Sequence, residues 1–373
     1  MIKQIVRVFK LPFQSFKIGM FLLYIFSTSV FADRKPVNAL YIPLADHYAA
    51  IIAFEKYRDE MKFADFSIEK MSSWDLLRAK YMEGENEMAF VMSPLAISMY
   101  QDKPNFKWIG LMHRDGNGLA VTHKIAHASK IAFLRNERLP NRKIELTDQT
   151  AFDSNTRLLV GVPHIQSTHS VVLYRYLKQH GLSISFTPNL ASDVLAIPIP
   201  PPMSPAFVLG NSNRNRPVGI EQSLPWIDLI ESDGHGQVVW YSKDVIPTKL
   251  GHVECIALAT KQALSDKKQA VSEVFHYIKK AGADIEKARM SGNDEIDDIV
   301  TMIQKHIPAH TSDAIYASLN PQLRIINYEN LDIDKPGLKL IMDTAIEARL
   351  IKDPIDLDQF AQPLTFPVGP NHE

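Results

Sequence analysis

Short apolar runs of strand type alternate with segments whose apolar residues recur at helical spacing, and this alternation constrains the fold more than any other feature. Val37–Ile42 reads as a strand ending at Pro43. Ala50, Ala53, Phe54, Tyr57 and Met61 then repeat at helical intervals behind Asp46, a residue suited to cap a helix because its carboxylate can accept from the free first amides. Phe66–Met71 is a second strand, followed by a helix capped by Ser72 or Ser73, carrying Asp75 in its first turn and closed by Gly84. Glu87–Met92 leads into a helix at Ser93-Pro94, and Trp108–Met112 and Leu119–Thr122 complete a first block. Such alternation predicts an α/β architecture with mainly parallel sheets.

Lys124–Asn155 is polar and weakly patterned, a connecting segment with one short helix at most. The pattern restarts with the strand Arg157–Val162 and a helix capped by Ser167 or Thr168, closed by Gly181. Ser183–Pro188 and Val194–Ile197 read as strands. The prolines at 198, 200, 201, 202 and 205 cannot donate to a sheet ladder, so they predict a loop or polyproline stretch. Phe207–Leu209 and Pro217–Ile220 come next, then a short helix at Leu224-Pro225-Trp226. Strands follow at Gln237–Tyr241 and Cys255–Thr260, before a charged helical remainder from Lys261. At 373 residues the chain has room for two domains. The expected division is a first lobe over 33–122, a connecting segment over 123–155, a second lobe over 156–245, and a return to the first lobe with a helical tail over 246–373.

The first 32 residues stand outside this pattern. Lys3, Arg7, Lys10 and Lys17 precede the apolar run Ile18–Val30, and Val30-Phe31-Ala32 offers small residues before Asp33. That is the layout of a cleavable secretory signal peptide, and the run is short for a bilayer span of about 20 residues. No cysteine follows it, so no lipid anchor is expected, and the mature chain should be exported and periplasmic. Its removal takes four basic residues from a chain of formal charge −1, leaving an acidic protein with no electrostatic reason to bind nucleic acid. The single cysteine, Cys255, excludes an internal disulfide framework and, set in an apolar strand, reads as a buried inert thiol.

Three helix starts follow strands directly: Asp46, Ser72/Ser73 and Ser167/Thr168. In open α/β sheets ligands collect at such points, where free amides gather. His169 could add a switchable charge there, and Trp74 could cover a planar ligand. Thirteen histidines invite a metal reading, but His123/His127, His306/His310 and His164/His169 each lack a clear third ligand, so no metal and no cofactor are expected. No GxSxG, HExxH, GxGxxG or P-loop motif is present, and no enzyme activity is expected.

Six elements in order resemble the nitrate/bicarbonate-type solute-binding proteins of ABC transporters, relatives of the sulfonate- and thiamine-precursor-binding group. They are Tyr41-Ile42-Pro43-Leu44-Ala45-Asp46; Ser73-Trp74 with Arg78 and Gly84; Asp115–Val121; Thr168-His169 with Leu173, Arg175-Tyr176-Leu177 and Gly181; Ile199-Pro200-Pro201-Pro202-Met203; and Pro225-Trp226 with Val239-Trp240 and Pro247–Gly251. The resemblance runs from about Val37 to Leu264. It implies a two-lobed, type II periplasmic-binding-protein fold that closes over a small anion and delivers it to an inner-membrane ABC permease and ATPase. The same clamp could instead report ligand to a membrane receptor or histidine kinase. A monomer is expected.

Carried across, the family's ligand contacts fall on Trp74, His169 and, one methylene shorter, Asn117. Its glycine–glutamate pair falls on Ser223-Leu224, so that acidic group is lost, and its lysine has no aligned partner, although Lys243 lies two residues further on. The expected site is therefore Trp74 as a stacking wall, Asn117, Thr168, His169 and Ser223 as donors, Asp46 at a helix start and Lys243 as a counter-charge.

Overall fold

The computed structural model describes residues 34–146, 157–188, 190–291 and 293–366. The expected signal peptide lies outside the described residues.

Two sheets organise the chain. The first has the order β2-β1-β3-β12-β4, built from β1 (Lys35–Tyr41), β2 (Ala64–Lys70), β3 (Met88–Met92), β4 (Phe106–Leu111) and β12 (Cys255–Thr260). The second has the order β11-β6-β10-β7-β9-β8. Its strands are β6 (Asn117–Val121), β7 (Leu158–Val162), β8 (Ile184–Ser185), β9 (Val194–Pro198), β10 (Val218–Ser223) and β11 (Gln237–Tyr241). A two-residue β5 (Arg114–Asp115) pairs with β13 (Ile326–Asn327). In the large sheets β1 runs parallel to β2 and β3, and β7 parallel to β9 and β10, while β6, β11 and β12 run antiparallel to their neighbours.

Position in the sheet follows composition. β3 (MAFVM) and β12 (CIALAT) are buried at every residue and lie inside the first sheet, as continuous apolar runs must. β2 mixes buried and exposed positions and forms an edge. The sheet contacts also correct the expected division. β6 pairs with β10 and β11, so the crossing from the first sheet to the second falls at residues 112–116 rather than after 122. The chain returns through residues 252–254, and Arg114 bridges Val253, so the outward and returning segments lie side by side.

Two of the expected caps form. Ser73 accepts from the amide of Leu76 at the start of the helix Trp74–Glu83, and Gly84, at φ +90, ends that helix in a conformation that costs glycine nothing. Ser167 accepts from Ser170 before the helix Thr168–Gln179. Ser73→Ala is expected to lower the unfolding free energy by about 1 kcal/mol in urea titrations; an unchanged midpoint would show that the cap contributes nothing.

Asp46 does not cap. A 3-10 turn over Ala45–His47 precedes the helix Tyr48–Tyr57, and no side chain bonds the first amides. Phe207–Leu209, which follows the proline run, is helical within Ser204–Ser212, because Pro205 fits the first turn of a helix and not a ladder. The remainder is helical as expected. Its longest element, Lys268–Ser291, packs on Tyr48–Tyr57, while Lys335–Glu347 packs on both Ser93–Asp102 and Thr168–Gln179 and so touches the helices that follow β3 and β7. Among the described residues no helix is long and apolar enough to cross a membrane.

Candidate functional site

The loop that ends β1 meets the end of β10. Ala45 donates its amide to the Leu224 carbonyl at 2.8 Å, the Trp226 indole donates to the Pro43 carbonyl at 2.9 Å, and the Ser223 hydroxyl donates to Asp46 Oδ2 at 2.9 Å. Beside this junction run the two crossing segments, one carrying His113 and the other Glu254-Cys255. Asp46, His113, Glu254 and Ser223 are all fully buried, as is Cys255.

These side chains form one polar knot. His113 Nε2 lies 3.5 Å from Asp46 Oδ2 and 3.3 Å from Glu254 Oε2. Cys255 Sγ lies 3.6 Å from the same Asp46 oxygen. From the second sheet's side, His169 places Nε2 2.9 Å from the Ser223 hydroxyl and Nδ1 3.4 Å from Glu254 Oε1. Glu221 is two residues before Ser223 on β10 and therefore on the same face, while Asn117 is Ser223's ladder partner on β6.

Much of the knot lacks hydrogen-bond partners. Asp46 Oδ1, both carboxyl oxygens of Glu254 and of Glu221, both nitrogens of His113, Nδ1 of His169 and the whole side-chain amide of Asn117 are buried without one. A buried polar atom left unpaired costs about 1–3 kcal/mol, so this concentration marks a place where something else belongs.

Electrostatics divide the groups by role. Burial opposes charge on His113, but the Asp46 and Glu254 carboxylates outweigh it and push the imidazole up to about 10, so it is a cation at neutral pH. For Asp46 burial acts upward, but His113 together with His47 and His169 outweighs it and holds the carboxyl below its ordinary value. Burial lowers His169 and keeps it neutral, which suits a donor or ligand nitrogen. Burial, with Glu254 and Asp46 nearby, raises Glu221 well above the ordinary carboxyl value. Burial and the same two carboxylates raise Cys255.

The expected residues fare unequally. Asp46, His169 and Ser223 meet directly, and Asn117 stands beside Ser223. Thr168 bridges the two halves, with its hydroxyl 3.4 Å from that of Ser93. Trp74 is buried with its ring edge-on to His47 at 6.0 Å, one residue removed from Asp46, and its indole N–H lacks a hydrogen-bond partner. Lys243 is not a counter-charge here, because the short helix Ser242–Val245 aims its ammonium at the Leu323 carbonyl. The acidic character expected to be lost at Leu224 is supplied instead by Glu221, Glu254 and Asp46.

Four histidines of the expected pairs are bonded away from the knot. His123 binds the Gly234 carbonyl, His306 pairs with Glu55, His310 with Tyr48, and His164 with Asp75. His113, Glu221 and Glu254 escaped sequence reasoning. For His113 and Glu254 the one visible signal is a polar residue next to an apolar strand, and for Glu221 a polar residue within β10, which periodicity alone assigns to solvent.

This geometry, two sheets joined by paired crossings with polar groups converging at the junction, is that of periplasmic binding proteins. A model of the NMT1-like family matches residues 32–299, and the chain belongs to that family. No curated protein sequence matches it. Solved structures share its fold at low identity. The ligand-binding component of an ABC-type import system from Staphylococcus aureus, with zinc bound, superposes with a TM-score of 0.67 at 19% identity, over 88% of this chain and 97% of that one. The periplasmic nitrate-binding protein NrtA from Synechocystis PCC 6803 gives 0.64 at 15%, over 89% and 92%. The periplasmic aliphatic sulphonate-binding protein SsuA from Escherichia coli gives 0.61 at 13%, over 91% and 95%. The chain thus has the fold of the solute-binding components of ABC importers.

Proposed function

We propose that this protein is an extracytoplasmic solute-binding component that closes over a small polar solute and presents it to an inner-membrane ABC permease and its ATPase. The observation that carries this reading is the convergence of Asp46, His113 and Glu254 with His169, Ser223 and Asn117 at the junction of the two sheets, with so many of their polar atoms unpartnered. A closed form that gains contacts across such a junction is how a ligand drives closure.

The solute class follows from charge. A bare oxyanion would meet the carboxylates of Asp46 and Glu254 with one cation, His113, to offset them, and each like-charge pair at about 4 Å costs about 4 kcal/mol in a half-buried setting. We therefore favour a nitrate- or bicarbonate-like oxyanion, or a small carboxylate or sulfonate, that enters with a proton or an accompanying cation. His113, His169, Ser223 and Asn117 would donate to its oxygens.

The test is a thermal-shift and calorimetric screen of the mature chain against these anions, with and without divalent salts. A true solute at 100 times Kd adds about 2.7 kcal/mol to unfolding. His169→Ala is expected to weaken that solute at least tenfold, about 1.4 kcal/mol, while the ligand-free melting temperature moves little, since Ser223 keeps its bond to Asp46. Normal binding by the variant would remove His169 from the site.

A further inference from the structure

We propose that Asp46, His113, Glu254 and Cys255 form a binding site for one divalent transition-metal ion of the Zn2+ class. This goes beyond the import reading and does not rest on it.

The geometry is that of a coordination shell slightly expanded. One ligand atom from each of the four residues, all buried, lies within 4.8 Å of the others. Ligands at about 2.0–2.3 Å from a tetrahedral zinc stand about 3.3–3.8 Å from one another. Three of the six edges here measure 3.5 Å (Asp46–His113), 3.3 Å (His113–Glu254) and 3.6 Å (Asp46–Cys255). They share the atoms a metal would use: Nε2 of His113 and Oδ2 of Asp46. His169 Nδ1 stands beside the cluster, 3.4 Å from the other Glu254 oxygen, Oε1.

A purely structural ion-pair knot would be expected to satisfy its lone pairs, because charges taken out of water need hydrogen bonds as well as mutual attraction. This one does not. Both oxygens of Glu254, both nitrogens of His113 and Nδ1 of His169 lack any hydrogen-bond partner although each is fully enclosed. A cation at the centre gives His113 Nε2 and a Glu254 oxygen the partner they lack and offsets the two carboxylates beside each other.

The donor set also selects the ion. Ca2+ takes six to eight oxygens and Mg2+ an octahedral oxygen shell. Imidazole with carboxylate and thiolate suits Zn2+, Co2+ or Fe2+ instead. The ligands come from three separate stretches, the loop after β1 and the two crossing segments. An ion held there would tie the loop after β1 to the two crossing segments.

Cobalt titration tests the site. The mature chain, freed of any affinity tag and stripped with EDTA, is titrated with Co2+ alone. The expected result is one equivalent bound, with the intense visible bands of a low-coordinate cobalt and a near-ultraviolet thiolate charge-transfer band, both bleached by Zn2+. Cys255→Ser should lose the charge-transfer band and keep the visible bands. Glu254→Gln should weaken Zn2+ at least tenfold by calorimetry, with circular dichroism confirming that each variant is folded. Absence of stoichiometric binding, or a charge-transfer band that survives Cys255→Ser, overturns the proposal. Because the titration contains no anion, its failure leaves the solute screen untouched, and the reverse holds as well.

Discussion

Arg114→Leu is expected to lower the unfolding free energy by about 3–5 kcal/mol and to weaken solute capture with it. Arg114 is buried on the outward crossing, next in sequence to His113. Its guanidinium donates to Asp334 Oδ2 at 2.8 Å, to the Asn330 carbonyl at 2.9 Å and to the Gly251 carbonyl at 3.1 Å. One side chain thus clamps the outward segment to the returning segment and to the turn before the helix Lys335–Glu347, which Asp334 itself caps. Leucine fills part of the volume but leaves a partly buried carboxylate and two carbonyls without their donor. Urea denaturation at neutral pH measures the first effect and calorimetry the second. A loss under 1 kcal/mol would show that the crossing is held by the β5–β13 pairing alone.

The second large effect is on pH dependence. His310 is fully buried, with Nδ1 2.9 Å from the Tyr48 hydroxyl and its ring 5.0 Å from that of Trp226. Burial drives its imidazole from the ordinary 6.5 to about 3. A histidine held neutral in the fold binds its proton more readily when unfolded. Its contribution is therefore complete above about pH 6.5 and is withdrawn as pH falls toward about 3. Between pH 7 and 4.5 this single group should cost about 3 kcal/mol of stability. His310→Gln starts lower at neutral pH but should show a flatter decline by about one proton. Paired urea titrations at the two pH values decide it, and an undiminished slope in the variant would mean that His310 already carries a proton in the folded state.

Most of the frame could be read from spacing. β1, β3, β7, β11 and β12 lie within two residues of their expected bounds, because burial on both faces demands apolar runs that leave a plain trace. The caps at Ser73 and Ser167 were legible for the same reason: each acts within four residues of itself. Where non-local pairing decides, the reading drifted. Leu119–Thr122 is recognisable as a strand from its composition, yet nothing in its residues says that its partners are β10 and β11 rather than β3.

The site shows the same division more sharply. His169, Ser223, Thr168 and Asn117 sit at strand ends and helix starts, positions that have a local signature. His113, Glu221 and Glu254 have none. Glu221 lies inside β10, and only the return of the chain through 252–254 beside 112–116 brings Glu254 to His113, which itself lies beside Asp46.

What the sequence determined by itself is therefore the alternating α/β order, the local caps and the half of the site that helix starts announce, since those depend on interactions over a few residues. The tertiary structure alone decided which strands share a sheet, that Trp74 packs beside His47 and Lys243 binds the Leu323 carbonyl, and that two carboxylates, an imidazole and a thiol share one buried space. The physical reason is range. Hydrogen-bonded turns and apolar periodicity act along the chain, whereas charge, metal affinity and ligand contact depend on distances across it, and those exist only once the two crossings lie side by side.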